Sequence, residues 1–292
     1  MTADGWEAEL ITPPVPLRRS SPDAIAAMLD TERHRLMSSL READRHARLV
    51  GFSTHVNVSV DDGAVVDVAR EFASRCAVAA GLLLDGADSP GVLIRPRRGR
   101  LEICGEYATG EDLAASIVFV AAAAAMLGNP DATLPEVGNW RVDPARERFG
   151  FFVGRGATGS DLYLAGRRAP VSLGDRTVLA QHHLEGVWSL VRPYAVSLGL
   201  DPTLVDERVL GVLPLPMECA PTGGEDAWMQ DRSGSTQGAS AQGLTLLDPA
   251  ERTRRRGAVT LAPAWLTWST VAWRCEDARQ GVAVYAVMPV EC

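Results

Sequence analysis

Polar and apolar residues alternate along three short stretches in the first third of the chain. Residues 6–11, 53–60 and 100–104 each place polar side chains at every second position. Because successive side chains of a strand point to opposite faces, this spacing predicts three strands, each with one apolar and one polar face. The polar faces carry, strand by strand, Glu7 and Glu9; His55, Asn57 and Ser59; and Arg100, Glu102 and Cys104.

The stretches between these strands have the spacing of helices. Apolar residues at intervals of three and four predict an amphipathic helix from Ser21-Pro22 to about Val50. Largely apolar helices are predicted over residues 64–84 and 109–128, the second one capped by Thr109. Strands separated by helices predict an α+β fold, with a curved, mainly antiparallel sheet and helices packed on one face.

The second half of the chain is less regular. We predict strands over residues 148–154 and 161–165, a helix over 174–198, and two final strands around 258–273 and 282–290. Residues 219–243 are polar and rich in glycine and serine, which is typical of a mobile loop. We expect a single domain over residues 1–292, in which 1–128 carries the motifs and 129–292 contains this loop.

The composition is that of an ordinary globular protein. Hydrophobic residues make up 46% and charged residues 23%, and the net charge of −8 gives no support for a nucleic-acid partner. The longest apolar run, Leu113–Leu127, is interrupted by Ser116 and is shorter than the ~20 residues of a membrane span. The first residues lack the pattern of a signal peptide, so we expect a cytoplasmic protein with no membrane partner.

The absence of lysine and the spacing of the cysteines limit the kinds of reaction and metal site that the chain can support. All 29 basic residues are arginine, because the sequence contains no lysine. P-loop nucleotide hydrolysis, kinase chemistry with a strand lysine and pyridoxal catalysis are therefore disfavoured, and phosphate must be bound by arginine and metal ions. The five cysteines have no C-x-x-C spacing, which argues against a zinc ribbon and against a disulfide framework.

The three polar strand faces would form one constellation if the strands adjoin. That face would gather Glu7, Glu9, His55, Asn57, Arg100 and Glu102. Carboxylates bind Mg²⁺ or Mn²⁺, imidazole is tolerated by Mn²⁺, and arginine binds phosphate oxygens bidentately. The alternative is that each polar face is simply the wet side of a half-buried antiparallel sheet.

The order of these motifs resembles that of the glutamine-synthetase-fold superfamily of carboxylate–amine ligases, which includes glutamate–cysteine ligases and amidoligases. The matching stretches are Glu7-Ala8-Glu9, His55-Val56-Asn57-Val58 and Arg100-Leu101-Glu102, over about residues 5–125. The resemblance implies a ligase that uses ATP and Mg²⁺ or Mn²⁺ to join a small carboxylate to an amine through an acyl-phosphate. A homo-oligomer is a further expectation for this chain.

The resemblance also implies roles for individual residues. Glu9, His55 and Glu102 would be metal ligands, with Glu7 as a fourth. Arg100 and Glu102 would be catalytic residues, and Arg100 would contact phosphate or the substrate carboxylate. Asn57, Arg98 and Arg95 would bind the nucleotide or the substrate.

Three departures from the family pattern keep other functions open. Asn57 stands where a second histidine is expected, and Cys104 replaces an arginine. The stretch from Glu9 to Pro14 also resembles a later family segment, and in that register the first metal-binding strand is missing. The alternatives are a non-catalytic binding protein on the same fold, or a metal-dependent hydrolase that uses Glu9, His55 and Glu102 without nucleotide.

Overall fold

The computed structural model describes a defined part of the chain. These residues are 2–4, 7–43, 45, 51, 53–87, 89, 91–132, 134, 137, 143–145, 150–158, 160–173, 175–219, 254–256, 259–266, 270–277 and 282–289. Of these residues, 2–4, 7, 8, 143–145 and all those from 254 onward are described by their backbone alone. Most of the loop predicted over residues 219–243 lies outside the described residues.

The chain forms two compact units, Met1–Met229 and Gln230–Cys292. We had expected one domain over residues 1–292. The division falls inside the segment 219–243, whose composition offers few apolar side chains to bury. Each unit has its own sheet, and the fold class is mixed α+β, as the sequence predicts.

A five-stranded antiparallel sheet is the centre of the first unit. Its strands run in the order β3-β5-β4-β7-β6. Their bounds are β3, Thr54–Ser59; β4, Gly91–Arg97; β5, Arg100–Gly105; β6, Asp143–Ala145; and β7, Gly150–Gly154. The strands predicted at 53–60 and 100–104 are therefore confirmed, and β5 lies between β3 and β4.

One face of this sheet is apolar and packs against helices. Val56, Ile103 and Ile94 lie side by side across β3, β5 and β4, and all three belong to the hydrophobic core. Phe72 and Phe119 reach the same core from two helices and are fully buried. Burial of side chains of this size stabilises the fold by about 1.5–3 kcal/mol each.

The helices of this unit largely follow the predicted spacing. They are α1, Ser21–Ala43; α2, Val65–Arg75; α3, Ala77–Leu84; α4, Gly110–Leu127; α5, Leu162–Ala165; α6, Ala180–Ser197; and α7, Thr203–Val209. Short 3₁₀ turns occupy Gly166–Arg168 and Pro216–Glu218. The helix predicted over 64–84 is divided at Cys76, so that α2 keeps an exposed side while all eight residues of α3 are buried.

Two predictions within residues 148–198 are wrong. The strand predicted at 161–165 is the helix α5, because the Asp161 carboxylate accepts hydrogen bonds from the N–H groups of Tyr163 and Leu164, both at 3.1 Å. The helix predicted over 174–198 begins only at Ala180. Residues before it form β9, Arg176–Leu179, which pairs with β8, Pro170–Leu173, as a separate two-stranded sheet.

The first strands of the chain also form a sheet of their own. β1, Thr2–Asp4, pairs antiparallel with β2, Glu7–Glu9, and the five-stranded sheet contains neither of them. A hairpin with so short a connection closes at little entropic cost, which favours this local pairing over a distant one.

The second unit contains a four-stranded antiparallel sheet. Its strands are β10, Arg254–Arg256; β11, Val259–Leu266; β12, Thr270–Asp277; and β13, Val282–Pro289, in that order. The sequence predicted strands in both regions but merged β11 and β12 into one. The two strands pair antiparallel with each other, so they are not one continuous strand.

Among the described helices, α4 alone has the length and apolar composition of a membrane span. Inside the structure, 72% of it is buried, and the core helix of a soluble protein has the same character. The apolar run Leu113–Leu127 is thus explained by packing within the first unit.

Candidate functional site

The turn between β4 and β5 sets the register of the central hairpin. Arg98 and Gly99 form this two-residue turn, and Gly99 adopts a φ of 70°, which glycine reaches without strain. The backbone N–H of Val60 donates to the Gly99 carbonyl at 3.1 Å and ties the end of β3 to the same turn. The register places two pairs opposite each other: Arg97 with Arg100, and Arg95 with Glu102.

β3 completes the arrangement on the other side of β5. Its register sets three more pairs opposite each other: His55 with Cys104, Asn57 with Glu102, and Ser59 with Arg100. Strand alternation puts all of these side chains on the face opposite the helices. We call this the polar face, and it consists of His55, Asn57, Ser59, Arg95, Arg97, Arg100, Glu102 and Cys104.

Glu102 lies near the centre of the polar face and is 6% exposed. Its Oε2 accepts a hydrogen bond from Arg97 Nε at 2.9 Å and contacts Arg95 Nε at 2.8 Å. The Arg95 contact is close but not aligned as a hydrogen bond, so it is an ion pair only. Burial alone would raise the pKa of Glu102, but the hydrogen bonds from His55 and Arg97 and the charge of Arg95 lower it to about 2.

His55 lies at the edge of this cluster, with 30% of its side chain exposed. Its Nδ1 is 3.5 Å from Glu102 Oε1, and its Nε2 is 3.4 Å from the Ser53 hydroxyl. Burial alone would lower the pKa of His55, but its hydrogen bonds with Cys104 and Glu102 raise the pKa well above the ordinary value. In the metal-free protein the imidazole therefore carries a proton at neutral pH.

Arg100 and Arg98 were both candidates for binding phosphate or substrate, but they have different surroundings in the structure. Arg100 lies on the polar face and donates from Nε to the Asn57 side-chain oxygen at 2.9 Å, which fixes the direction of its guanidinium. Arg98 lies in the turn, is 96% exposed and has its Nε 3.7 Å from Asp62. The structure thus brings Arg95, Arg100 and Asn57 together and leaves Arg98 outside.

The polar face carries an excess of positive charge. Its cations are Arg95, Arg97, Arg100 and protonated His55, whereas Glu102 is its carboxylate among the described side chains. Within the described part of the chain, the Nη groups of these arginines donate no hydrogen bond. A face with spare guanidinium donors and net positive charge is suited to bind an anion.

The two remaining candidate ligands lie on a strand outside the five-stranded sheet. Glu7 and Glu9 lie on β2, which pairs with β1 and not with β3, β4 or β5. Glu9 is exposed, and it does not belong to the group of donors around His55. The expectation that Glu7 and Glu9 share a face with His55 and Glu102 is thus not met by the sheet topology.

Potential metal ligands on the polar face are His55, Glu102 and Cys104. One donor atom from each lies within 4.8 Å of the others. A thiol and an imidazole with a single carboxylate do not suit Mg²⁺, which prefers oxygen ligands, and they suit Mn²⁺ little better. The described donors therefore do not fit the metal ions that the resemblance implies.

Sequence reasoning left two members of this site without a role. Arg97 alternates with Arg95 along β4, and this period of two was a usable signal that both lie on one face. Cys104 was noted only as the loss of an arginine. Its position directly opposite His55 depends on the register of β3 and β5, which the sequence does not specify.

The chain matches no protein-family model, no curated protein and no solved structure.

Proposed function

We propose that the polar face binds a small anionic molecule that carries a phosphate or carboxylate group. The observation that supports this most strongly is the concentration of Arg95, Arg97 and Arg100 on two adjacent strands, with Glu102 as the carboxylate partner of Arg95 and Arg97. Guanidinium groups bind both kinds of anion through paired N–H donors.

The arginines are already oriented before any ligand binds. Glu102 contacts the Nε atoms of Arg95 and Arg97, and Asn57 accepts from the Nε of Arg100. Each guanidinium is held by one edge and leaves its terminal nitrogens available. Orientation in advance reduces the entropy lost on binding, and partial burial strengthens the attraction to an anion.

Titration calorimetry with pyrophosphate, ATP and citrate tests this proposal. Arg100→Gln removes one donor of the polar face, and Arg98→Gln is the matched control, because it removes the same charge two residues away in the turn. We expect Arg100→Gln to weaken binding of the preferred anion by roughly tenfold, equal to ~1.4 kcal/mol. Arg98→Gln should change it by less than about twofold.

The outcomes of this titration distinguish a defined anion-binding site from nonspecific electrostatic attraction. Equal losses of affinity in the two variants would mean that anion binding depends only on the net charge of the chain. No saturable binding of any of the three anions to the wild-type chain would contradict the proposal outright.

The enzyme class that we attach to this face is an ATP-dependent carboxylate–amine ligase of glutamine-synthetase-like fold. Such an enzyme must bind a nucleotide phosphate and a substrate carboxylate together, which an arginine-rich face can do. The neighbouring positions of the His55 and Glu102 strands support it, whereas the location of Glu7 and Glu9 does not.

Phosphate release tests the ligase proposal separately. The wild-type chain is incubated with ATP, with Mg²⁺, Mn²⁺ or Zn²⁺, and with a panel of small carboxylates and amines. Release that requires both a carboxylate and an amine is the expected result. Saturable anion binding without such release would instead favour the non-catalytic binding protein, and turnover without ATP would favour the hydrolase.

A further inference from the structure

Three possible metal ligands converge on the polar face from two strands. Glu102 and Cys104 are two residues apart on β5 and share its polar side, and His55 lies directly opposite Cys104 on β3. His55 Nδ1 is 3.5 Å from Glu102 Oε1. Donors that surround a zinc ion at about 2.0–2.3 Å in a tetrahedron are themselves about 3.3–3.8 Å apart, so only small side-chain adjustments are needed.

We propose that His55, Glu102 and Cys104 form a zinc site with three protein ligands and an open fourth position. The sulfur of Cys104 decides the metal, because thiolate and imidazole ligands select Zn²⁺ over Mg²⁺ and Mn²⁺. Cys104 stands where the family pattern has an arginine, so this site follows from the present sequence and not from the resemblance.

The surroundings of Glu102 leave one oxygen for the ion. Its Oε2 is held by Arg95 at 2.8 Å and by Arg97 at 2.9 Å, whereas Oε1 faces His55. Metal-binding carboxylates are commonly fixed in this way through the oxygen that does not bind the metal.

The three ligands differ in exposure, and this difference indicates the side from which a further ligand would reach the metal. Cys104 is fully buried and Glu102 is 6% exposed, while 30% of the His55 side chain is accessible. An incoming ligand would therefore approach from the side of His55. The Ser53 hydroxyl, 3.4 Å from His55 Nε2, orients the imidazole from behind and is available as its outer partner.

The closing experiment uses the full chain freed of metal and then titrated with Zn²⁺ alone. We expect one Zn²⁺ per chain, and on substitution with Co²⁺ the thiolate-to-metal charge-transfer absorption that requires a sulfur ligand. Cys104→Ser should weaken Zn²⁺ binding by at least about a hundredfold and abolish this absorption. Cys219→Ser, at an exposed cysteine, is the matched control and should leave both unchanged.

Each result bears on the proposal. Absence of Zn²⁺ binding in the wild-type chain, or an absorption band that persists in Cys104→Ser, overturns it. The Co²⁺ spectrum of the wild type remains decisive even if Cys104→Ser does not fold. Anion binding is judged separately, because Arg100→Gln removes a donor to the anion but no metal ligand and should keep its Zn²⁺.

Discussion

At the scale of single residues, Glu102 meets three cationic side chains within a short distance. Arg95 and Arg97 share one of its oxygens and His55 faces the other. The low pKa of Glu102 means that the carboxylate is ionised throughout the physiological range. Among the described side chains, Glu102 is the carboxylate that compensates the charges of these three neighbours.

Glu102→Gln should destabilise the chain, because it leaves two arginine side chains without their anionic partner. Loss of one member of a buried pair costs about 3–5 kcal/mol, and the partial exposure of Arg97 reduces this to about 2 kcal/mol. Urea unfolding measures the change. Glu42→Gln, at an exposed position on α1, should change the free energy of unfolding by less than about 0.5 kcal/mol, and an equal effect of both variants would refute the account.

His183 on α6 is a buried imidazole of a different kind. Within the described part of the chain, neither ring nitrogen has a hydrogen-bond partner, and burial lowers the pKa of His183 to about 4. As pH falls, His183 is protonated at a higher pH in the unfolded chain than in the folded chain. The free energy of unfolding should therefore fall as pH falls from about 6.5 towards 4. His183→Leu should remove up to roughly 3 kcal/mol of this loss of unfolding free energy. If the pH dependence of unfolding below pH 6.5 is the same in His183→Leu as in the wild type, His183 is not its cause.

At the scale of elements, alternation along the sequence was enough to identify the central strands and their polar sides. β3, β4 and β5 follow a period of two, and the pairing of β4 with β5 follows from the hairpin turn at Gly99. The partner of β2 was missed because two-residue periodicity says which face a side chain takes but not which strand lies beside it. The cap at Asp161 was missed because the four residues of α5 are too few to show a helical period.

The pairing of β4 with β7 brings the two backbones close together at Gly150. A Cβ at Gly150 would overlap the carbonyl oxygen of Ile94, and its φ of 85° already disfavours other residues. Gly150→Ala should therefore destabilise the first unit by about 2 kcal/mol or more, measured by thermal or urea unfolding. Gly156→Ala is the control, since a Cβ there meets nothing within 4 Å; similar effects at both positions would show that the strand contact is not the cause.

At the scale of the whole molecule, a buried carboxyl group connects distant segments of the first unit. Asp85 follows α3, accepts from the Tyr163 hydroxyl at 2.5 Å and accepts from the backbone N–H of Glu106 at 2.9 Å. Burial raises the pKa of Asp85 to about 7, although these hydrogen bonds oppose the rise. None of this was visible in the sequence, where Asp85 resembles an ordinary residue after a helix.

The stability of the first unit should depend on the charge of Asp85. The pKa of Asp85 is about 7 in the folded chain against an ordinary 3.8, so the folded state holds this proton more tightly. Its contribution is complete below about pH 4 and is lost as pH rises through 7, a direction opposite to that of His183. Asp85→Asn should flatten this part of the pH profile of the unfolding free energy, and a profile identical to that of the wild type would contradict the assignment.

The polar face as one assembled binding site is the central claim, and locating a bound anion tests it most directly. Pyrophosphate is titrated into the isotope-labelled chain while backbone amide resonances are followed. We predict saturable shifts that concentrate on β3, β4 and β5, largest near His55, Arg95 and Arg100. Shifts that never saturate, or that concentrate around arginines away from this sheet such as Arg167 and Arg192, would contradict the account.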